Sequence, residues 1–284
     1  MPRLSYARPE TLVEAMALLV EHGAEAVALS GGTDLVVGLR HGKLKPRLVV
    51  DLKHVADLSH EVEINDDVIS VGGAVVMTDI VDHPTVQRRL PALVEAASTV
   101  GSIQIRNRAT LAGNICNGSP AADTAPPLLA YQAVVRIAGP NGVIACPIDD
   151  FFLGPGRTVI GSGEIVVSID LPLTDQPTGS AFTRLTRRRG VDLATVSVAC
   201  SVSGHVTRFG LGAVGPRPLL VTDISGALAD RTADADLRES VLMELLTAAT
   251  PISDVRAGED YRREMLRVLS RRALDRALDR RDGQ

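Results

Sequence analysis

Residues 105–129 read IRNRATLAGNICNGSPAADTAPPLL and combine small residues with residues that favour turns. Small side chains leave the backbone N–H groups of a segment accessible, and a concave run of such groups binds phosphate. We therefore predict a binding loop here, to which Thr110 adds its hydroxyl as a donor. The residues expected to take part are Thr110, Leu111, Ala112, Gly113 and Asn114.

A second segment of the same character, ALSGGTDL, spans residues 28–35. A short apolar run at 26–29 leads into paired glycines, which predicts a strand that feeds a glycine-rich turn. One Gly-Gly turn is as typical of an ordinary tight turn as of a binding site, but two such segments in one chain favour binding. The expected site residues are Ser30, Gly31, Gly32, Thr33, Asp34 and Leu35.

Composition and charge exclude several classes of function. The chain has 284 residues, of which 45% are hydrophobic and 23% charged, and its formal net charge is −4. These values are typical of a globular protein and argue against a nucleic-acid binder, in which positive charge is concentrated. No apolar run reaches membrane-spanning length, and no signal-type apolar core follows Met1. We expect a cytoplasmic protein without an integral membrane segment.

The spacing of cysteines and histidines argues against a metal site on this chain. Cys116, Cys146 and Cys200 stand far apart, without the C-x-x-C spacing from which zinc and iron–sulfur sites are built. We expect them to be reduced thiols in the core. The six histidines are also scattered. No metal ligands are predicted.

Hydrophobic patterning predicts an α+β chain of two domains. Residues 1–174 form the first domain, with a small α/β unit at about 1–55 and a larger mixed sheet with helices at about 56–174. Residues 171–179, LPLTDQPTG, are rich in Pro, Gly and polar residues and indicate a boundary. Residues 175–284 form the second domain.

Local signals predict individual elements of the small unit. Thr11 is expected to cap a helix at 12–21, because threonine is a good N-cap before an amphipathic run. Strands are expected at 26–29 and 48–52.

The second domain is predicted to consist of three strands followed by helices. The strands span about 180–186, 195–203 and 205–214, and the helices span 236–249 and 261–278.

A dinucleotide fingerprint, G-x-G-x-x-G, is matched letter by letter by GLGAVG at residues 210–215. This fingerprint binds phosphate only where a helix follows, and Pro216 and Pro218 argue against a helix. We predict a strand and a turn here, not a nucleotide site.

Short motifs run along nearly the whole chain. They are LSYARPETL at 4–12, VVDL at 49–52, ISVGGA at 69–74, IRNR at 105–108, DDFFLGP at 149–155, EIVVSI at 164–169 and YRR at 261–263. In order and spacing they resemble the FAD-binding medium subunit of the molybdenum hydroxylases, the family of xanthine dehydrogenase and carbon monoxide dehydrogenase.

The resemblance implies a two-part FAD-binding domain, PCMH/VAO-like, followed by a C-terminal domain of the CO dehydrogenase flavoprotein type with a three-stranded antiparallel sheet and helices. FAD carries the redox chemistry, so no catalytic acid or base is expected. The two glycine-containing segments would hold its pyrophosphate. Asp123 and Val166 are implied as further cofactor contacts. Arg184 and its neighbours Arg187, Arg188 and Arg189 either neutralise the flavin phosphates, face a partner subunit or lie on a solvated strand edge.

Three positions depart from the family's pattern. Ala112 stands where the family usually has glycine, so this position must keep a negative φ or accept a small strain, and binding should survive the added methyl group. Leu193 stands where some relatives place a tyrosine near the flavin, and Thr195 where others have a lysine. The flavin potential and the access of the acceptor depend on these positions.

The resemblance also implies partners: a large molybdopterin-binding subunit and a small 2Fe-2S subunit, assembled as a dimer of heterotrimers, that is, a heterohexamer. The chain would accept electrons from the 2Fe-2S subunit and pass them to a small-molecule acceptor such as NAD, a quinone or oxygen. An alternative is a self-sufficient FAD-dependent oxidoreductase of the same flavin-binding fold. A scaffold that has lost the flavin is disfavoured by the intact glycine segments.

Overall fold

The computed structural model describes residues 4–283. The elements of its first part are β1 Ser5–Ala7, α1 Leu12–His22, β2 Ala26–Leu29, α2 Leu35–Arg40 and β3 Leu48–Asp51, with short 3-10 turns at Gly23–Glu25 and Leu52–His54. The three strands form a parallel sheet in the order β1-β3-β2. Thr11 caps α1 as predicted, because its side chain accepts the Glu14 N–H while the Glu14 carboxylate accepts from the cap backbone.

The second part is built on a larger antiparallel sheet. Its elements are β4 Val62–Ile64, β5 Val68–Gly72, α3 Met77–Asp82, α4 Pro84–Arg89, α5 Pro91–Ser98, α6 Ile103–Arg106, α7 Leu111–Cys116, α8 Ala125–Ala130, β6 Val134–Gly139, β7 Gly142–Pro147, α9 Ile148–Phe151, β8 Phe152–Gly154, β9 Arg157–Thr158 and β10 Ile165–Pro172. Five of the strands form one sheet in the order β4-β5-β10-β6-β7, and β8 pairs with β9. Sheet residues such as Ile69, Val135 and Ile169 pack with helix residues such as Leu93 and Leu128 in the main core.

The third part is a second antiparallel sheet covered by helices. Its elements are β11 Thr178–Leu185, β12 Val196–Ser203, β13 Val206–Gly212, β14 Leu219–Asp223, α10 Ala235–Leu246 and α11 Glu259–Asp282. The apolar face of α11, which includes Leu266, Leu269 and Ala273, packs on this sheet. Among residues 4–283, no helix combines the length and the apolar character that crossing a membrane requires.

The structure corrects the predicted strand count of this sheet from three to four. The three predicted strands are β11, β12 and β13, and β14 adds to them by pairing with β13. Local patterning does not predict β14 because it is short and follows Pro216 and Pro218. An edge strand tolerates a proline at its start, where no N–H is needed for the ladder. The GLGAVG motif forms the end of β13 and a turn, with no helix after it, as predicted.

The second and third parts meet across α8. Gly210 of β13 lies so close to α8 that a Cβ would overlap the carbonyl oxygen of Pro126, so only glycine permits this approach. Nearby, Phe182 and Ala199 pack with alanines of α5. We propose the domain division at residues 174/175, and this is supported by the end of β10 at Pro172 before β11 begins.

Candidate functional site

The two predicted glycine-containing segments lie in direct contact. Ser30 follows β2, and its Oγ lies 2.8 Å from Oγ1 of Thr110, which precedes α7. Gly31 is so close to the neighbouring backbone that a Cβ would overlap the carbonyl oxygen of Arg108. The fold therefore joins two segments that are 80 positions apart in the chain.

The turn between β2 and α2 presents a run of backbone donors. Within residues 4–283, the N–H groups of Gly31, Gly32, Thr33 and Asp34 donate no hydrogen bond. Gly32 has a φ of +76°, a left-handed conformation that favours glycine, and it directs the chain into α2. Leu35 begins that helix. Consecutive free N–H groups before a helix attract an anion.

The segment at residues 110–114 begins a short helix, α7, and is not the open loop that its small residues suggested. Thr110 is the N-cap of α7, and its Oγ1 accepts the Gly113 N–H at 3.0 Å. Leu111 and Ala112 are buried, whereas Gly113 and Asn114 are half-buried. This helix was not predicted because six residues that include a glycine give little helical signal. The φ of Ala112 is not positive, as predicted.

A cleft of about 350 Å³ opens beside both segments. Two of its lining residues, Lys53 and His54, follow β3, and the register of the parallel sheet pairs Asp51 of β3 with Leu29 of β2. The residues that follow β2 and β3 therefore share one edge, where ligands bind in open parallel sheets. The basic and ring-nitrogen groups of this cleft were not predicted from the sequence; they are Lys53, His54, His60 and Arg108.

A buried carboxylate holds Lys53 on the cleft wall. Asp51 is 1% exposed, and its Oδ1 accepts from Nζ of Lys53 at 2.6 Å, while the Tyr6 hydroxyl donates to its Oδ2. Burial raises the pKa of Asp51, but the hydrogen bonds from Lys53 and Tyr6 outweigh it, so the pKa lies below its usual value. Asp51 is therefore ionised at neutral pH and fixes the ammonium group.

Two further predicted site residues, Asp123 and Arg184, form an ion pair. Nη1 of Arg184 lies 2.6 Å from Oδ2 of Asp123, and the two side chains are 14% and 11% exposed. The interpretation of Arg184 as part of a solvated edge is therefore wrong. Oδ1 of Asp123 is buried and has no hydrogen-bond partner within residues 4–283.

Val166 contributes its side chain to packing. It lies in β10, is 5% exposed and belongs to the main core. Its carbonyl oxygen lies against Gly73, so closely that a Cβ there would clash. Any contact of Val166 with a ligand stays a prediction.

Asp123 should make the flavin-free chain less stable as the pH rises. Burial raises the pKa of Asp123 to about 6, although Arg184 acts to lower it. Above the usual carboxyl pKa of 3.8 and below about 6, the folded chain keeps a proton that the unfolded chain has lost. The protonated carboxyl group of Asp123 therefore contributes its full stabilisation to the free energy of unfolding below pH 3.8. This contribution falls by roughly 2–3 kcal/mol as the pH rises from 3.8 to about 6.

Urea unfolding of the wild-type and Asp123→Asn chains, from about pH 4 to about pH 7, measures this effect. The stability of the wild type relative to the variant should decrease as the pH rises through the window. A difference that stays constant with pH would show that the Asp123 pKa is not raised.

The positions that depart from the family's pattern have different surroundings. Leu193 is 49% exposed and precedes β12. Thr195 is 2% exposed, and its N–H donates to the carbonyl oxygen of Leu185 at 2.8 Å. Leu193 is therefore accessible, whereas Thr195 has a structural role.

The cysteines are free and lie in separate elements. Cys200 is buried as expected, but Cys146 is half-buried and Cys116 is exposed at the end of α7, so the expectation of three core thiols is wrong. Within residues 4–283, no three His, Cys, Asp or Glu side chains are grouped as a metal site.

Comparison with known proteins adds to this geometry. Residues 2–174 match the FAD binding domain in molybdopterin dehydrogenase, and residues 180–277 match the CO dehydrogenase flavoprotein C-terminal domain. The xanthine dehydrogenase FAD-binding subunit of Escherichia coli O157:H7 is 32% identical over 96% of each chain. The carbon monoxide dehydrogenase medium chain of Hydrogenophaga pseudoflava is 32% identical over 98% of each chain.

A solved structure agrees with these sequence matches. A chain of the reconstituted CO dehydrogenase from Oligotropha carboxidovorans superposes with a TM-score of 0.90 at 28% identity and covers 99% of both chains. The matches confirm the α+β fold class, the binding of FAD by this chain and its role as part of an oxidoreductase. The chain therefore belongs to the family of FAD-binding medium subunits of the molybdenum hydroxylases, which includes those of xanthine dehydrogenase and carbon monoxide dehydrogenase.

Proposed function

We propose that the turn between β2 and α2 binds the pyrophosphate of FAD. The observation that carries this proposal is the row of four consecutive N–H groups at 31–34 without acceptors in residues 4–283. The Ala112 N–H in α7 also lacks an acceptor there, and Lys53 and Arg108 add positive charge to the cleft. This donor set fits a pyrophosphate. The other proposed contacts are Ser30, Leu35, Thr110, Leu111, Gly113 and Asn114.

Asp123, Arg184 and Val166 are proposed as the second group of FAD contacts. The free Oδ1 of Asp123 is an acceptor for a polar group of the cofactor, and Arg184 holds that carboxylate in place. FAD supplies the electron-transfer chemistry of its flavin ring when bound. The chain's residues bind it, orient it and exclude water, and the proposal requires no acid or base from the protein.

We further propose that this chain is an electron-transfer subunit in a larger complex. It takes electrons from a small 2Fe-2S subunit, whereas substrate oxidation occurs on a large molybdopterin-binding subunit, in a cytoplasmic dimer of heterotrimers. The names of the relatives, a medium chain and an FAD-binding subunit, support a place in a complex of several subunits. The cysteines of this chain, in α7, β7 and β12, are too scattered to hold a cluster.

The substrate of the complex is proposed to be selected outside this chain. A xanthine dehydrogenase subunit and a carbon monoxide dehydrogenase chain are both 32% identical to it. Similar medium chains therefore serve oxidation of a purine and of a small gas. The electron acceptor is proposed to be a small molecule.

Co-purification tests the proposed role of this chain as an electron-transfer subunit. The chain, tagged and expressed with the proteins encoded by neighbouring genes, should yield one particle that contains flavin, iron–sulfur absorbance and molybdenum. The control is a tagged chain expressed alone, which should show flavin without molybdenum or iron. The co-expression could instead yield a particle with flavin only, and the isolated chain could oxidise a substrate by itself. That result would contradict the proposed electron-transfer role and favour the self-sufficient oxidoreductase.

A further inference from the structure

A second cavity, of about 230 Å³, lies where α4 and the end of α8 face the sheet of strands β11 to β14. Two arginines, Arg89 and Arg208, line it together with hydroxyl side chains of β11 and β12, and no acidic side chain does so. It shares no lining residue with the cleft beside residues 30–34. Ser180, on its wall, is four residues before Arg184 along β11, so the cavity is separate from the Asp123–Arg184 pair.

The strand register explains why this end of the sheet is polar. Ser180 of β11 pairs with Ser201 of β12, which pairs in turn with Arg208 of β13, so the three side chains form a row on one face. Two residues along, the same face carries Phe182 and Ala199, which pack against α5 and α8. The face thus changes from apolar to polar where α8 ends, and the cavity opens there.

Arg208 faces this cavity without an acidic partner. Its side chain forms no hydrogen bond or ion pair within residues 4–283, and its Nε is buried without an acceptor. Burial lowers the pKa of Arg208, and no carboxylate acts in the opposite direction. The hydroxyl groups of Ser201 and Ser203 also form no hydrogen bond with any side chain within residues 4–283. A half-buried guanidinium with unused donors is costly unless an anion joins it.

The backbone beside the cavity is strained. Gln132, which follows α8 and lines the cavity, has a φ of +55°. Non-glycine residues seldom adopt this left-handed conformation, and where they do, the strain often marks a ligand site.

We propose that this cavity binds a phosphate group. Two guanidinium groups from separate elements, together with serine hydroxyls, suit an anion with several oxygens and two negative charges better than a monoanion. The cavity volume is several times the roughly 30 Å³ that one water molecule occupies in the liquid, which leaves room for a phosphate group. The source is either inorganic phosphate or a phosphate ester.

Calorimetric titration of the FAD-loaded chain at constant ionic strength tests the proposal. The probes are inorganic phosphate, AMP as a phosphate ester and acetate as a monoanion. Phosphate or AMP should bind saturably and more tightly than acetate, and Arg208→Met should weaken that binding by at least about tenfold. Arg88→Met, a change at an exposed neighbour in α4 that does not line the cavity, should leave the affinity unchanged.

The relative affinities of the probes distinguish the two sources of the phosphate. Tighter binding of AMP assigns the site to a phosphate ester, and tighter binding of inorganic phosphate assigns it to the free ion. The absence of saturable binding, or an affinity that Arg208→Met leaves unchanged, would overturn the proposal. The FAD content and melting temperature of the variant establish that it is folded. If it is not, Arg208→Lys, which keeps the charge but loses the planar donor geometry, should still weaken binding.

Discussion

Replacing Gly31 with alanine is expected to leave the purified chain nearly free of FAD. The added Cβ overlaps the carbonyl oxygen of Arg108, so the turn at 30–34 must move away from α7. The N–H groups of this turn would then no longer point at the proposed position of the pyrophosphate. Losing even two of the four proposed charge-assisted hydrogen bonds should weaken FAD binding on the order of hundredfold. The measurements are the ratio of flavin to protein absorbance and a fluorescence titration of FAD into the flavin-free chain.

Gly258→Ala is the matched control for this variant. Gly258 precedes α11 with a φ of −72°, and an added Cβ would have its nearest neighbour at 3.9 Å. This variant should retain the full flavin content. Circular dichroism of both variants tests whether they are folded. A folded Gly31→Ala chain with wild-type affinity for FAD would contradict the assignment of the turn.

Among the proposed substitutions, Arg262→Met is expected to lower the free energy of unfolding the most. This arginine, which lies in α11, is 3% exposed and donates to the carbonyl oxygens of Thr195 at 2.6 Å and Ala213 at 3.0 Å, and to Oδ1 of Asp254 at 2.7 Å. It thus ties α11 to both strands at the open end of the β12–β13 hairpin. Methionine removes the donor to both carbonyl oxygens and the ion pair with Asp254, whose Oδ1 still accepts the Arg256 N–H at 2.8 Å, and the free energy of unfolding should fall by about 3 kcal/mol.

The control for this effect is Arg272→Met, at an exposed position of the same helix. Surface substitutions of this kind change stability by roughly 0.5 kcal/mol at most. Urea unfolding of the two variants and the wild type gives the comparison. Equal midpoints for the two variants would show that the buried hydrogen bonds of Arg262 contribute little to stability.

The elements that were predicted correctly have strong local signals. Thr11 with Glu14 three residues later is sufficient to place the start of α1. The short strands β2 and β3 follow from apolar runs that end in glycine or a charged residue. The exclusion of a nucleotide site at GLGAVG needed only the two prolines after it.

The elements that were missed depend on tertiary structure. β14 is five residues long and is stabilised by its pairing with β13, which local patterning does not reveal. α7 is stabilised by the burial of Leu111 and Ile115 and by its Thr110 cap. Both examples show packing overriding weak propensity.

The candidate site also contains features that local sequence predicts and features that depend on tertiary structure. The glycine-containing segments were visible because small residues and turn formers cluster in the sequence. Lys53 joins them only through the parallel register of β2 and β3, and the row from Ser180 to Arg208 exists only through the pairing of three strands. No local pattern contains such long-range register.

A crystal structure of this chain with FAD bound would test the proposed pyrophosphate site most directly. Pyrophosphate oxygens should lie at hydrogen-bond distance, about 2.7–3.2 Å, from the backbone nitrogens of residues 31–34. Ala112 at the start of α7 and Lys53 should border the same phosphates. A pyrophosphate bound elsewhere, with these N–H groups facing water, would show that the turn between β2 and α2 is not the binding site.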